Sequence, residues 1–251
     1  FLKICSGLIF IMNIYDGLGL DIGKKEVLSF VGGGGKTTTI FKLGQELKAL
    51  GKKVLITTTT AIYNPKEGEY DYYFLGRYEE DFHPKEGSIT ILGREVRQGK
   101  LRGLSLAYMD EVILEGLFDF ILIEADGAKN KPIKAMASHE PVVSKYSTRT
   151  IGIIGIDCLG QPIERIVHRP GLFVDIVGKD LQQQVDQKDM VKIALHPRGL
   201  FKSAIGNKIL VLNKVGDQDT LMKGYSIRKE LLEKGFEGSI ILADIQSGSF
   251  Y

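Results

Sequence analysis

The chain lacks tryptophan, has only two cysteines, and holds no apolar run long enough to cross a bilayer. Cys5 and Cys158 lie far apart and outside any Cys-x-x-Cys pair. That excludes a disulfide framework and a cysteine metal cluster, and it fits a reducing cytosol. Neither sign of charge is in excess. The 33 Lys and Arg against 31 Asp and Glu leave a formal net charge of +2, which argues against a dedicated nucleic-acid surface. The four histidines, His83, His139, His168 and His196, show no metal-ligand spacing. No Ser/His/Asp or Cys/His arrangement stands out. Internal repeats and low-complexity linkers are also missing.

The most apolar terminus, Phe1 to Ile11, falls short of the roughly 20 residues that a spanning helix needs. It carries one positive charge and no small-x-small cleavage site, so it does not read as a signal peptide. We read residues 1–11 as an upstream extension, with the fold opening near Met12. Residues 12–251 then suit a single α/β domain in the cytoplasm, with no membrane association.

Glycine is plentiful, and its densest cluster is the most informative stretch. Val31-Gly32-Gly33-Gly34-Gly35-Lys36-Thr37-Thr38-Thr39 directly follows the apolar run Val27 to Phe30. An apolar strand, a glycine loop and a Lys-Thr helix start form the layout of a phosphate-binding loop. Consecutive glycines let backbone N–H groups turn around an anion, and the helix adds free N–H groups and the positive end of its dipole. Lys36 would reach the terminal phosphates, and Thr37 would ligate Mg²⁺. The match is to a short Gly-x-x-Gly-Lys-Thr form, Gly32 to Thr37, because Phe30 stands where the longer pattern requires glycine. Val31 also replaces the extra lysine of deviant loops.

Ile40, Leu43, Leu47 and Leu50 fall on one helical face, Gly51 ends that helix, and Val54 to Ile56 reads as the next strand. Further strands are expected at 72–75, 89–92, 118–123, 150–156, 209–212 and 240–242. Helices are expected at about 104–116, 187–196 and 218–234. This alternation predicts an α/β fold: a P-loop NTPase-like layered sheet, mostly parallel, with helices on both faces. The stretch 157–206 reads as an insertion of loops and short helices packed over the nucleotide side.

Phe118 to Ile123 is an apolar strand ending in Glu124-Ala125-Asp126-Gly127. Phosphate-loop enzymes place an acidic residue there for Mg²⁺, and either Glu124 or Asp126 would serve, with a catalytic role beside Lys36. Thr57 to Thr60 ends a strand on the same edge, where ligands bind, but threonine is equally at home in a strand. Ile209 to Leu212 runs into Asn213-Lys214-Val215-Gly216-Asp217, similar to the Asn-Lys-x-Asp base-reading element of GTPases with the Asp one residue late. Asn213 and Lys214 are therefore candidates near the base. Lys129, Lys131 and Lys134 read either as a phosphate-binding or as a solvated basic loop. His139-Glu140-Pro141 and His168-Arg169-Pro170 read as loops.

Together these segments resemble the YqeC family. The resemblance rests on Val31 to Thr39, Ile56 to Thr60, Ile123 to Lys134, His139 to Val143, Gly152 to Asp157, His168 to Pro170 and Leu212 to Lys214. Glu124-Ala125-Asp126-Gly127 with the downstream Pro132-Ile133-Lys134 is its distinctive part. Met136, where proline is expected, and Ala61, where a basic residue often stands, depart from the pattern. The resemblance implies a cytoplasmic nucleotide-binding accessory protein in the maturation of selenium-dependent molybdenum hydroxylases. Its partners would be a hydroxylase or a cofactor-maturation protein.

The leading expectation is an enzyme that binds Mg²⁺ and ATP or GTP. The amides of Gly32, Gly33, Gly34 and Gly35 with Lys36, Thr37 and Thr38 would hold the phosphates, and Thr37 with Asp126 or Glu124 would hold the metal. Two rivals stay open: a non-enzymatic nucleotide-dependent switch, and a small-molecule kinase or ligase.

Overall fold

The computed structural model describes residues 10–251. Along the chain, β1 (Phe10–Ile11) and α1 (Ile14–Gly17) precede β2 (Glu26–Gly32), α2 (Lys36–Ala49) and β3 (Lys53–Thr58). Next come β4 (Ala61–Tyr63), β5 (Tyr72–Leu75), β6 (Ser88–Gly93), β7 (Glu95–Arg97), β8 (Lys100–Arg102), α3 (Leu106–Glu115) and β9 (Phe120–Glu124). The middle holds β10 (Ile133–Lys134), β11 (Arg149–Gly155), α4 (Ile163–Ile166), β12 (Val167–His168), α5 (Pro170–Val177) and α6 (Gln187–Leu195). The chain continues through β13 (Asn207–Asn213), α7 (Gln218–Glu233), β14 (Ser239–Asp244) and β15 (Ser249–Phe250).

Ten strands form one sheet in the order β1-β15-β14-β13-β11-β2-β9-β3-β6-β5. Both pairings of β15 are antiparallel and all others in this sheet are parallel. The fold is therefore α/β with a large, mostly parallel central sheet. Its central strands are near-continuous apolar runs because both faces are covered. Leu28, Phe30, Ile151, Ile153, Ile209 and Val211 pack with α1 and α2 on one face. The alternate residues Ile154, Leu210 and Leu212 join α5, α6 and α7 on the other, where Val27, Leu55 and Ile123 join α3. This two-residue alternation between opposite cores is what a strand's geometry dictates.

Each strand and helix expected from periodicity forms within a few residues. In α2 the buried stripe is Ile40, Leu43 and Leu47. Leu50, expected on the same face, is 40% exposed. The helix stops at Ala49, and Gly51 turns the chain at φ 78° before β3.

Three features differ from expectation. Phe10 and Ile11, placed in the upstream extension, pair with Phe250 and Ser249 at the sheet edge. The remainder of that segment, residues 1–9, lies outside the described residues. The stretch 157–206 holds short helices and loops and sets His168 and Arg169 on the cleft, but it also reaches into the core. Phe173, Met190, Val191, Ile193 and Leu200 are fully buried and build much of one core. Finally, β4, β8 and β7 form a separate antiparallel sheet. Its β7–β8 turn places Gln98 at φ 53° and Gly99 at φ 70°, the paired positive angles of a tight hairpin.

Candidate functional site

The carboxyl ends of β2, β3 and β9 converge on a cleft of about 980 Å³. Ligands in open parallel sheets bind at that edge. The glycine loop forms its floor. Gly32, Gly34 and Gly35 have φ of 97°, 74° and 127°, angles that L side chains avoid. The loop is also hemmed in, since a Cβ at Gly33 would lie 2.4 Å from the Lys131 carbonyl oxygen.

The backbone amides of the loop divide into two groups. Gly32 N–H donates to Asp126 Oδ2 at 2.9 Å. Gly33 N–H donates to the Ile153 carbonyl at 2.9 Å, and Gly34 N–H to the Lys131 carbonyl at 3.0 Å. The next four, on Gly35, Lys36, Thr37 and Thr38, have no hydrogen-bond acceptor among the described residues, and no side chain caps α2. All four residues line the cleft. Free N–H groups at a helix start, with its dipole behind them, are a ready anion cradle.

Glu124 and Asp126, equivalent in the sequence, take different places. β9 lies beside β2, with Phe30 opposite Glu124. Glu124 lines the cleft, and its Oε2 accepts from Thr37 Oγ1 at 2.7 Å. Asp126 is fully buried behind the loop. Its Oδ2 lies 3.2 Å from Lys134 Nζ and accepts from Gly32 N–H, while its Oδ1 lies 3.1 Å from Lys36 Nζ, off hydrogen-bond alignment. Lys36 donates to the Gly32 carbonyl at 2.6 Å and sits 3.9 Å from Glu124 Oε1. Burial works against the Lys36 charge, but Asp126 and Glu124 outweigh it and raise its pKa. For Glu124 burial wins, and its carboxyl is pushed up despite Lys36 and the Thr37 hydroxyl.

The threonine run also divides. Thr57 and Thr58 are buried and donate to the carbonyls of Leu92 (2.7 Å) and Glu124 (2.8 Å), whereas Thr59 and Thr60 line the cleft. Asn213 acts on the loop. Its Nδ2 donates to the Gly34 carbonyl at 2.8 Å and its Oδ1 accepts from Ile245 N–H at 3.0 Å. Lys214 lines the cleft and pairs with Asp157 at 2.6 Å. Asp217 caps α7 by accepting from Thr220 N–H at 2.8 Å, so the displaced GTPase-like Asp is engaged in local structure.

Next to the loop lies a second cluster, built from residues that the sequence reading placed in loops. The two-residue ladder of β10 with β12 sets Lys134 beside His168. Lys134, buried completely, donates to Glu140 Oε2 and the Gly127 carbonyl, each at 2.7 Å. Arg169 grips Glu140 from the cleft side, with Nη1 to Oε2 at 2.5 Å and Nη2 to Oε1 at 3.1 Å. Burial raises the Glu140 carboxyl, but Lys134 and Arg169 outweigh it and hold it below its ordinary value. Seven Lys and Arg side chains line the cleft against two carboxylates, Glu124 and Glu140, so its field favours an anion. Of the five non-glycine residues at positive φ among the described residues, four line it: Lys129, Asn130, Arg169 and Lys214. Such strained backbone concentrates at functional sites.

The profile of the YqeC protein family matches residues 28–171. A YqeC protein of Escherichia coli K12 is 31% identical over 241 residues, covering 91% of this chain and 92% of that one. The chain belongs to the YqeC family. The matched span in this YqeC protein takes in the glycine loop, both carboxylates of the 124–126 segment, Glu140 and Arg169.

Cys158 is buried, and burial with the neighbouring Asp157 raises its thiol pKa, so it is an inert core side chain. His168 carries a testable pH signature. Burial, with the Arg169 charge next, pushes it down to about 4 from 6.5. Between those values the unfolded chain binds more protons, so stability falls as pH drops through that window. After discounting for the ring's solvent exposure the loss is about 1 kcal/mol. His168→Asn, which keeps an acceptor for Arg169, is expected to flatten that part of the curve in urea titrations. An unchanged slope would place the acid sensitivity elsewhere.

Proposed function

We propose that this YqeC protein binds Mg²⁺ with ATP or GTP and hydrolyses the nucleotide or transfers its terminal phosphoryl group. The observation that carries this reading is the row of four unpartnered amides, Gly35 to Thr38, in a cationic cleft beside Lys36. The acidic strand β9 next to β2 supports the finer assignment of a P-loop NTPase-like sheet.

The amides cradle the phosphates, and Lys36 leaves Asp126 to neutralise their charge. The residues present fit Mg²⁺. Thr37 and Glu124 offer a hydroxyl and a carboxylate oxygen 2.7 Å apart, and Mg²⁺ favours one or two such oxygens together with substrate phosphates. Bound there, the metal would neutralise charge developing on the phosphoryl oxygens, and it would relieve a carboxylate whose burial now disfavours ionisation. Asp126 is a positioning residue: it fixes Gly32 and Lys36 without facing the cleft. Asn213 holds Gly34 to the Ile245 turn, and Lys214, which lines the cleft, is the candidate for contact with the base. Catalysis of phosphoryl transfer is mainly positioning and electrostatic stabilisation, so this set is chemically sufficient. The setting implied by the family resemblance is a cytoplasmic accessory role in maturing selenium-dependent molybdenum hydroxylases.

Calorimetric titration with ATP and GTP, each with Mg²⁺, tests the reading. One nucleotide should bind tightly, Lys36→Ala should abolish binding, and Thr37→Ala should remove the Mg²⁺ dependence. Wild-type affinity in the folded Lys36→Ala variant would refute the assignment.

A further inference from the structure

Arg169 is more constrained than a charge partner for Glu140 needs to be. Glu140 already has the buried ammonium of Lys134 at 2.7 Å. Arg169 nevertheless sits in left-handed backbone, φ 63° and ψ 61°, immediately before Pro170 opens α5. Left-handed backbone costs a non-glycine residue about 1 kcal/mol or more. Its side chain is 26% exposed and lines the cleft.

A guanidinium has five N–H donors in a fixed plane and no acceptor. Glu140 takes one from Nη1 and one from Nη2. His168 Nε2 lies 3.1 Å from Nη1. Because arginine only donates, that nitrogen accepts, and the imidazole carries its hydrogen on Nδ1. Two donors remain, Nε–H and the outer Nη2–H, and neither has a partner among the described residues. They lie on one edge and point the same way, the fork that matches two oxygens of a phosphate.

We propose that the Nε–Nη2 edge of Arg169 is a phosphate-binding fork in the cleft that the glycine loop also lines. Glu140 and His168 hold the other edge, so the side chain's rotamer freedom is already lost before any ligand arrives. The phosphate is either the terminal group of the nucleotide or part of a second, phosphate-bearing ligand. The choice between those two sources rests on the nucleotide reading above; the fork itself does not.

Arg169→Lys keeps the charge and removes the fork, and Arg169→Gln removes both. Wild type and both variants are titrated with Mg²⁺–nucleoside diphosphate, with a non-hydrolysable Mg²⁺–triphosphate analogue, and with inorganic phosphate added to the diphosphate complex. Thermal melts verify that the variants fold. Diphosphate affinity is expected to stay within about twofold of wild type, while a phosphate probe weakens by about tenfold or more. A loss with the triphosphate analogue, with or without a loss for inorganic phosphate on the diphosphate complex, assigns the fork to the terminal phosphate. A loss seen with inorganic phosphate, the analogue binding normally, assigns it to a second ligand. Equal weakening of all three ligands, or of none, overturns the proposal. If wild type binds no nucleotide, the proposed function fails separately. The fork is then judged on inorganic phosphate alone, and equal binding by wild type and Arg169→Lys, or none by either, overturns it.

Discussion

Replacing Lys134 with methionine is expected to destabilise the protein by about 3 kcal/mol or more. Lys134 has no exposed side-chain surface, and its ammonium lies 2.7 Å from Glu140, 3.2 Å from Asp126 and 2.7 Å from the Gly127 carbonyl. Methionine matches the stem but leaves three acceptors without this donor. Lys36 remains on Asp126 and Arg169 on Glu140, so the two carboxylates are weakened in their pairing and not stripped of it. Removing one partner of a buried ion pair still costs more than the pair's net contribution, because the remaining charge stays desolvated. Denaturant unfolding at neutral pH measures the change. A loss below about 1 kcal/mol would mean that water reaches Asp126 and Glu140 when Lys134 is gone. The same variant should loosen Gly32, since Asp126 Oδ2 is shared between that amide and Lys134.

A single methyl group in the glycine loop should be nearly as damaging. In Gly34→Ala the new Cβ would lie 2.2 Å from Gly155 N and 2.9 Å from the Pro132 carbonyl, at a φ of 74°. Left-handed strain and overpacking against backbone together imply a cost of about 2–4 kcal/mol. The loop would also shift out of the geometry that presents the Gly35 to Thr38 amides. Gly51→Ala separates the two terms, because Gly51 has a φ of 78° but nothing within 4 Å of its would-be Cβ. It should cost about 1 kcal/mol and leave ligand binding untouched. Equal losses in the two variants would show that backbone strain dominates and that the contact with Gly155 is soft.

The glycine loop, the α2 stripe and the apolar strands were legible because their signals are local. A helix face repeats within four residues, and a fully buried strand is one continuous apolar run. The β7–β8 hairpin was legible in principle from Gln98-Gly99 between alternating residues, but it is short and highly charged. The loops and short helices expected in 157–206 form, but hydrophobic periodicity in α5 and α6 says only that they bury a face and not which face.

The carboxylates show where local signals end. Glu124 and Asp126 are two residues apart on the same strand end, and no sequence rule separates their roles. One lines the cleft because it meets Thr37; the other is buried because Gly32, Lys36 and Lys134 surround it. Glu140 and Arg169, 29 residues apart, meet only because β10 and β12 pair.

The sequence by itself determined the α/β class, most element boundaries and the cluster of Gly32 to Thr37, since these follow from backbone conformational preference and short-range hydrophobic pattern. Only the tertiary structure decided which amides of the loop stay free, which carboxylate faces the cleft, and that Arg169 presents an open edge. Those outcomes depend on hydrogen-bond partners brought from distant strands, and burial sets their charge states.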